Sequence, residues 1–101
     1  MNSSDILEKL NSGVMLLMDG GTGSELQRRG VDVSKGANED QLGVWSATAN
    51  LDAPDVVQAV HEDYYSAGAD LVTSNSFWTN RPKLELIGEG HRWEEYTKAS
   101  A

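Results

Sequence analysis

Apolar positions along the 101 residues fall into short blocks separated by glycine-rich or polar breaks. Val14-Met15-Leu16-Leu17-Met18 is an uninterrupted apolar run between Gly13 and Asp19-Gly20-Gly21. Such a run predicts a strand buried on both faces, as in a parallel sheet. Leu71-Val72-Thr73-Ser74 reads as another strand, and Val44-Trp45-Ser46-Ala47 as a short one between them. Helical spacing occurs elsewhere. Ile6, Leu7 and Leu10 share a face of a first helix, with Ser4 or Asp5 as its cap, Glu8 in capping-box position and Gly13 as its stop. Ser24 is placed to cap a helix over 24–29. Pro54, preceded by Asp52, opens a helix over 54–67 with Val56, Val57, Val60 and Tyr64 as its apolar stripe and Gly68 at its end. Asn80 and Pro82 open a short helix with Leu84 and Ile87 inward, and Trp93 begins a last helix with no stop signal. Residues 31–42 are polar, lack periodicity and read as loop.

The predicted order is therefore strand 14–18, helix 24–29, strand 43–47, helix 54–67, strand 71–75 and helix again. Alternation of this kind means parallel strands joined by right-handed crossovers. The expected fold class is α/β, with about three β/α units and no internal linker. A closed eight-unit barrel needs about 250 residues. The expectation is accordingly the N-terminal portion of a TIM (β/α)8 barrel, with residues 1–101 a partial domain truncated at its C-terminus. Such a piece is expected to fold poorly by itself, with Leu71 and Val72 on an exposed edge. The competing reading is a complete small α/β module that binds or interacts without catalysis.

Composition narrows the function classes. Hydrophobic residues are 39% and charged residues 24% of the chain, an ordinary globular balance. The net charge of −8 disfavours nucleic acid and anionic membranes, which would repel it. There are no cysteines, so neither a disulfide nor a cysteine-ligated metal can form within these residues. Met1 to Leu10 has no basic stretch followed by an apolar one, so it is not a signal peptide. A cytoplasmic location is the expectation, with oligomeric state left open.

Ligands of parallel α/β sheets bind at the carboxyl ends of the strands, and polar residues gather at those predicted ends. Asp19, Gly20, Gly21, Thr22 and Gly23 follow the first strand. Trp45, Ser46 and Thr48 lie at the second, and Thr73, Ser74, Asn75 and Ser76 at the third. Asp19 can hold a ligand ammonium by a charge-assisted hydrogen bond, or can cap a turn or the following helix. The glycine loop lacks the lysine of a P-loop and does not continue into a dinucleotide fingerprint; a tight turn that lets a substrate approach fits it better. Trp45 either walls a pocket or fills the core. Thr73 and Asn75 either bond a substrate or finish the strand. Phe77 and Trp78 read as packing or interface residues. His61 reads as a solvated helix position, and His61 and His91 have no metal-ligand spacing.

The string Asp19-Gly20-Gly21-Thr22-Gly23-Ser24-Glu25-Leu26-Gln27-Arg28-Arg29-Gly30 resembles the start of the homocysteine S-methyltransferase family. So do Val44-Trp45-Ser46-Ala47, the stretch from Pro54 through His61-Glu62-Asp63-Tyr64 to Ala69-Asp70, and Thr73-Ser74-Asn75-Ser76-Phe77 with Thr79-Asn80-Arg81. The ordered set covers most of residues 14–81. The resemblance implies a (β/α)8 barrel in which zinc binds the thiolate of homocysteine, which then takes a methyl group from a small donor to give methionine. It implies substrate binding by Asp19 at the amino group, with Gly20, Gly21 and Thr22 shaping the site and Trp45, Thr73 and Asn75 lining it. The expected partners are homocysteine and a small methyl donor, not nucleic acid or membrane. The family's zinc ligands are cysteines, including an adjacent pair late in the barrel. This chain has none, so zinc is expected only in a full-length family enzyme, and these residues alone are expected to be inactive.

Overall fold

The structure is a computed structural model that describes residues 2–101. Among the described residues six α-helices follow one another: α1 (Ser3–Asn11), α2 (Thr22–Arg28), α3 (Ala49–Asp52), α4 (Pro54–Ser66), α5 (Arg81–Leu84) and α6 (Trp93–Ser100). Two 3-10 turns, Glu85–Ile87 and Gly90–Arg92, join the last two.

The expected α/β architecture is not what the described residues adopt. Among them no sheet forms; the β pairing is a parallel bridge between Met18 and Leu71 and an antiparallel one between Asn38 and Gln41. The three β/α units of a TIM barrel are therefore corrected to a mainly helical structure. The physical reason differs between segments. A strand buried on both faces needs a layer on each side and neighbours on its edges. Residues 14–18 have one extended neighbour, and Met15 and Met18 stand 84% and 64% exposed. A lone pair of extended segments is marginal in water, and here it closes into a single bridge.

Residues 43–47 fail as a strand for a packing reason. A strand would send Val44 and Ala47 to opposite faces. Instead both are buried in one cluster with Leu84 and Tyr96, while Trp45 packs against another. That grouping requires a turn, closed by Ala47 N–H donating to Val44 O at 3.0 Å. Gly43 makes the turn possible: its φ is +70°, and a Cβ there would stand 2.2 Å from Lys35 O. The helix α3 that follows has no counterpart in the predicted elements.

The helices mostly follow their sequence signals. α4 begins at Pro54 as its first-turn residue. Val57 and Val60 are buried, and Val56 and Tyr64 pack beside them, as the stripe predicts. α5 is capped by Asn80, whose side chain accepts from Lys83 N–H at 3.0 Å. α2 starts at Thr22 behind Gly21, so Ser24 lies inside it and not at its cap. α1 is capped by Asn2, in a capping box with Asp5, in place of Ser4 or Asp5. Its apolar face is uncovered, with Leu7 60% and Leu10 54% exposed.

One core cluster joins α2 to α3 and α4 through Leu26, Val33, Ala49, Val57 and Val60. An ion cluster reinforces it at the surface: Glu25 pairs with Arg28 and Arg29, and Arg29 reaches Asp63 on α4 at 2.6 Å. The second core cluster, around Val44, Ala47, Leu84 and Tyr96, seats α6. The 43–48 turn spans both clusters, and the cleft described next opens beside it.

Candidate functional site

Asp19 and Asp70 frame the parallel bridge. Leu17 N–H donates to the Asp70 carboxylate at 3.0 Å, and Asp70 N–H donates back to Leu17 O at 2.8 Å. Asp19 N–H donates to Leu71 O at 3.1 Å. Beyond that point the Asp19 side chain replaces the backbone: both its oxygens accept from Thr73 N–H at 3.1 Å. The carboxylate thus caps the 71–73 segment rather than α2. A carboxylate has about four lone-pair sites, so this bond leaves Asp19 able to accept from a ligand as well.

Gly20 and Gly21 carry the chain from Asp19 into α2. Gly20 lies beside the Tyr64 hydroxyl of α4, which a Cβ at that position would meet at 3.4 Å. Gly23, in the first turn of α2, is buried under the indole of Trp45. Trp45 itself has φ +50°, the one non-glycine residue at positive φ among those described. Such a conformation costs on the order of 1–3 kcal/mol and persists only where packing over-determines it. Here the indole is held against the core cluster of α2 and α4. Trp45 therefore both packs and walls.

Asn75 completes the wall. Its Oδ1 accepts from Ser46 Oγ at 2.8 Å, and its Nδ2 donates to Ser46 O at 2.8 Å and to Asn50 Oδ1 at 2.9 Å. Asn50 Nδ2 in turn donates to Asn75 O and Tyr96 O.

All seven sequence-predicted site residues, Asp19, Gly20, Gly21, Thr22, Trp45, Thr73 and Asn75, line one cleft of about 340 Å³. That volume is at the small end of ligand sites. Ser46 and Ser74, which the polar clustering placed nearby, line it too, as does Phe77. Phe77 is 85% exposed and stacks on Trp78, so of its two expected roles, packing or interface, core packing does not hold. A smaller cavity of about 230 Å³ adjoins the cleft, sharing Trp45, Ser46, Asn75 and Phe77 and adding Trp78. The signal in the sequence for Phe77 was its place at the end of the Thr73-Ser74-Asn75-Ser76-Phe77 string. Thr48 is fully buried and outside the cleft. His61, expected on a solvated face, is half-buried with its Nδ1 unpartnered.

The donor set for a metal is poor. The chain has no cysteine, and among the described residues no three His, Asp or Glu side chains lie close enough together to share an ion. Nor is any described helix long and apolar enough to cross a membrane.

The sequence profile of a family described as homocysteine S-methyltransferase matches residues 16–101. The chain is 39% identical over 77 residues to a selenocysteine Se-methyltransferase of Brassica oleracea var. italica, covering 76% of the chain and 20% of the relative. It is 31% identical over 83 residues to betaine–homocysteine S-methyltransferase 1 of Bos taurus, covering 82% and 18%. It is 36% identical over 77 residues to homocysteine S-methyltransferase 2 of Arabidopsis thaliana, covering 76% and 21%. The chain thus spans about a fifth of the length of these relatives. No solved structure matches it.

Proposed function

Since the chain belongs to the homocysteine S-methyltransferase family, we propose that residues 1–101 supply the amino-group end of a site in which homocysteine is methylated on sulfur. The observation that carries this reading is the gathering of Asp19, the glycine loop, Trp45, Thr73 and Asn75 around one cleft. Asp19 accepts from the ammonium of the amino acid, with the Thr73 N–H holding its carboxylate in place. The Gly20–Gly21 turn lets the substrate backbone come close, and Trp45 shields that end of the cleft from water.

In the proposed reaction the sulfur of homocysteine attacks the methyl carbon of a donor. A sulfur–carbon bond forms as the donor's bond to that carbon breaks, its electron pair staying with the demethylated donor, and the thiol proton passes to water. Zinc, which would lower the thiol pKa, does not fit the donor groups of these residues, and no step assigned to them runs through a metal. Their part is to bind and orient the amino acid, which places its sulfur for attack.

Titration calorimetry of the chain with homocysteine tests this, with Asp19→Ala as the control. Binding that Asp19→Ala abolishes supports the reading. Binding that survives it, or no binding at millimolar ligand, overturns it.

A further inference from the structure

The polarity of the cleft wall follows from a chain of hydrogen bonds that starts outside the cleft. Asn50, on α3, is 1% exposed. Its Nδ2 lies 2.8 Å from Asn75 O and 3.2 Å from Tyr96 O. Backbone carbonyls only accept, so the Asn50 amide can face them in one sense alone. Its oxygen must then face Asn75, which must answer with its own Nδ2. The second proton of that Nδ2 goes to Ser46 O. Asn75 has now spent both protons, and only its oxygen is left to meet the Ser46 hydroxyl. Ser46 therefore donates its one proton inward and turns its lone pairs outward.

We infer that Asn50 is a positioning residue that clamps Asn75 through both its backbone carbonyl and its carboxamide, and so makes the Ser46–Asn75 wall of the cleft an acceptor surface selective for an ammonium group. This rests on the homocysteine reading above and deepens it. Asp19 then shares the cleft lining with Ser46 and Asn75, whose side-chain protons are already spent on each other and on Asn50. A ligand presenting a carboxylate or carbonyl to the Ser46 and Asn75 side chains finds no free proton on them. A ligand presenting N–H meets the lone pairs of the Ser46 hydroxyl, which has turned its proton away. The tether from Asn50 to Tyr96 O also ties the wall to α6, so the seating of α6 bears on the alignment of Asn75.

The test follows side-chain amide exchange of Asn50 and Asn75 by NMR in the whole ¹⁵N-labelled chain. Beside it runs calorimetry with homocysteine and with 4-mercaptobutanoate, which is homocysteine without its amino group. In the unaltered chain both side-chain amides are expected to exchange about tenfold or more slowly than that of exposed Asn11. Asn50→Ala is expected to release the Asn75 amide and to weaken homocysteine about tenfold while leaving 4-mercaptobutanoate unchanged. Should that variant not fold, Ser46→Ala retains the Asn50–Asn75 clamp and is expected to show the same selective loss. Equal loss for both ligands, or no loss in a folded variant, overturns the proposal. So does an Asn75 amide in the unaltered chain that exchanges as fast as Asn11. If the unaltered chain binds neither ligand, the proposed function and the ammonium preference fall together, while slow exchange at Asn75 still supports the clamp.

Discussion

The indole of Trp45 occupies the space that a side chain at Gly23 would need: a Cβ built there stands 1.9 Å from Nε1. The contact joins the turn at 43–48 to the first turn of α2, on either side of the cleft. Gly23→Ala must push Trp45 away, and since Trp45 is already at φ +50° it has little freedom to yield. The substitution is expected to destabilise the chain by about 1–3 kcal/mol, the usual cost of overpacking. It should also move Trp45 emission to longer wavelength, read as the difference from the same change in a Trp45→Phe background. A melting midpoint and emission both unchanged would show that the indole does not rest there.

Asp19 serves structure and ligand with the same carboxylate, and two substitutions separate these roles. Asp19→Asn keeps an oxygen for Thr73 N–H but loses the charge. It is expected to preserve the protection of the Thr73 amide against hydrogen exchange while weakening homocysteine about tenfold or more. Asp19→Ala loses both, so Thr73 exchange should quicken as well. Equal exchange rates for the two variants would mean that the 3.1 Å bond contributes nothing to holding the segment.

The ion cluster between α2 and α4 makes stability depend on acid. Hydrogen bonds from Arg28, and then Arg29, hold the Glu25 carboxyl down from an ordinary 4.5 to about 2. A carboxyl with a lowered folded-state pKa stabilises fully above its unfolded value, and that contribution fades as pH falls through the folded one. The melting midpoint is therefore expected to drop between about pH 4.5 and about pH 2 by more in the unaltered chain than in Glu25→Gln. Asp32, held low by Ser34, and Glu95, held low by Arg92, titrate in both proteins and cancel in the difference. Parallel pH profiles would remove Glu25 from the account.

Burial predicts opposite outcomes for two leucines on helices. Leu26 on α2 is fully buried, so Leu26→Ala should cost about 2–5 kcal/mol by lost transfer and cavity formation. Leu7 on α1 is 60% exposed, and Leu7→Ala should stay within about 0.5 kcal/mol. Denaturant midpoints of the two variants check this, and similar losses at both positions would show α1 to be covered.

Most of the helices, though not α3, were legible in the chain because their signals are local. Pro54 and the Val56, Val57, Val60, Tyr64 spacing specify α4 within its own residues, and the Asn80 cap starts α5. The strands were not, because a run such as 14–18 states that it is apolar but not what covers it. In the described residues little does, and Met15 lies in the open. The turn at 43–48 escaped the sequence for a related reason: Val44 and Ala47 join one cluster and Trp45 another, and only the packing of α2, α4 and α6 assigns them.

By itself, the sequence determined the chain's family and which residues are chemically equipped for a site: a carboxylate followed by glycines at 19–23, an indole at 45, and a Thr-Ser-Asn string at 73–75. Residue type and spacing along the chain carry that information. Only the tertiary structure decided how those residues meet. It turned the Asp19 carboxylate onto Thr73, laid Trp45 over Gly23, and set the sense of the Asn75 amide through Asn50 and Tyr96. Each of these relationships joins positions more than twenty residues apart, and hydrogen-bond direction and steric fit at such range exist only once the chain has folded.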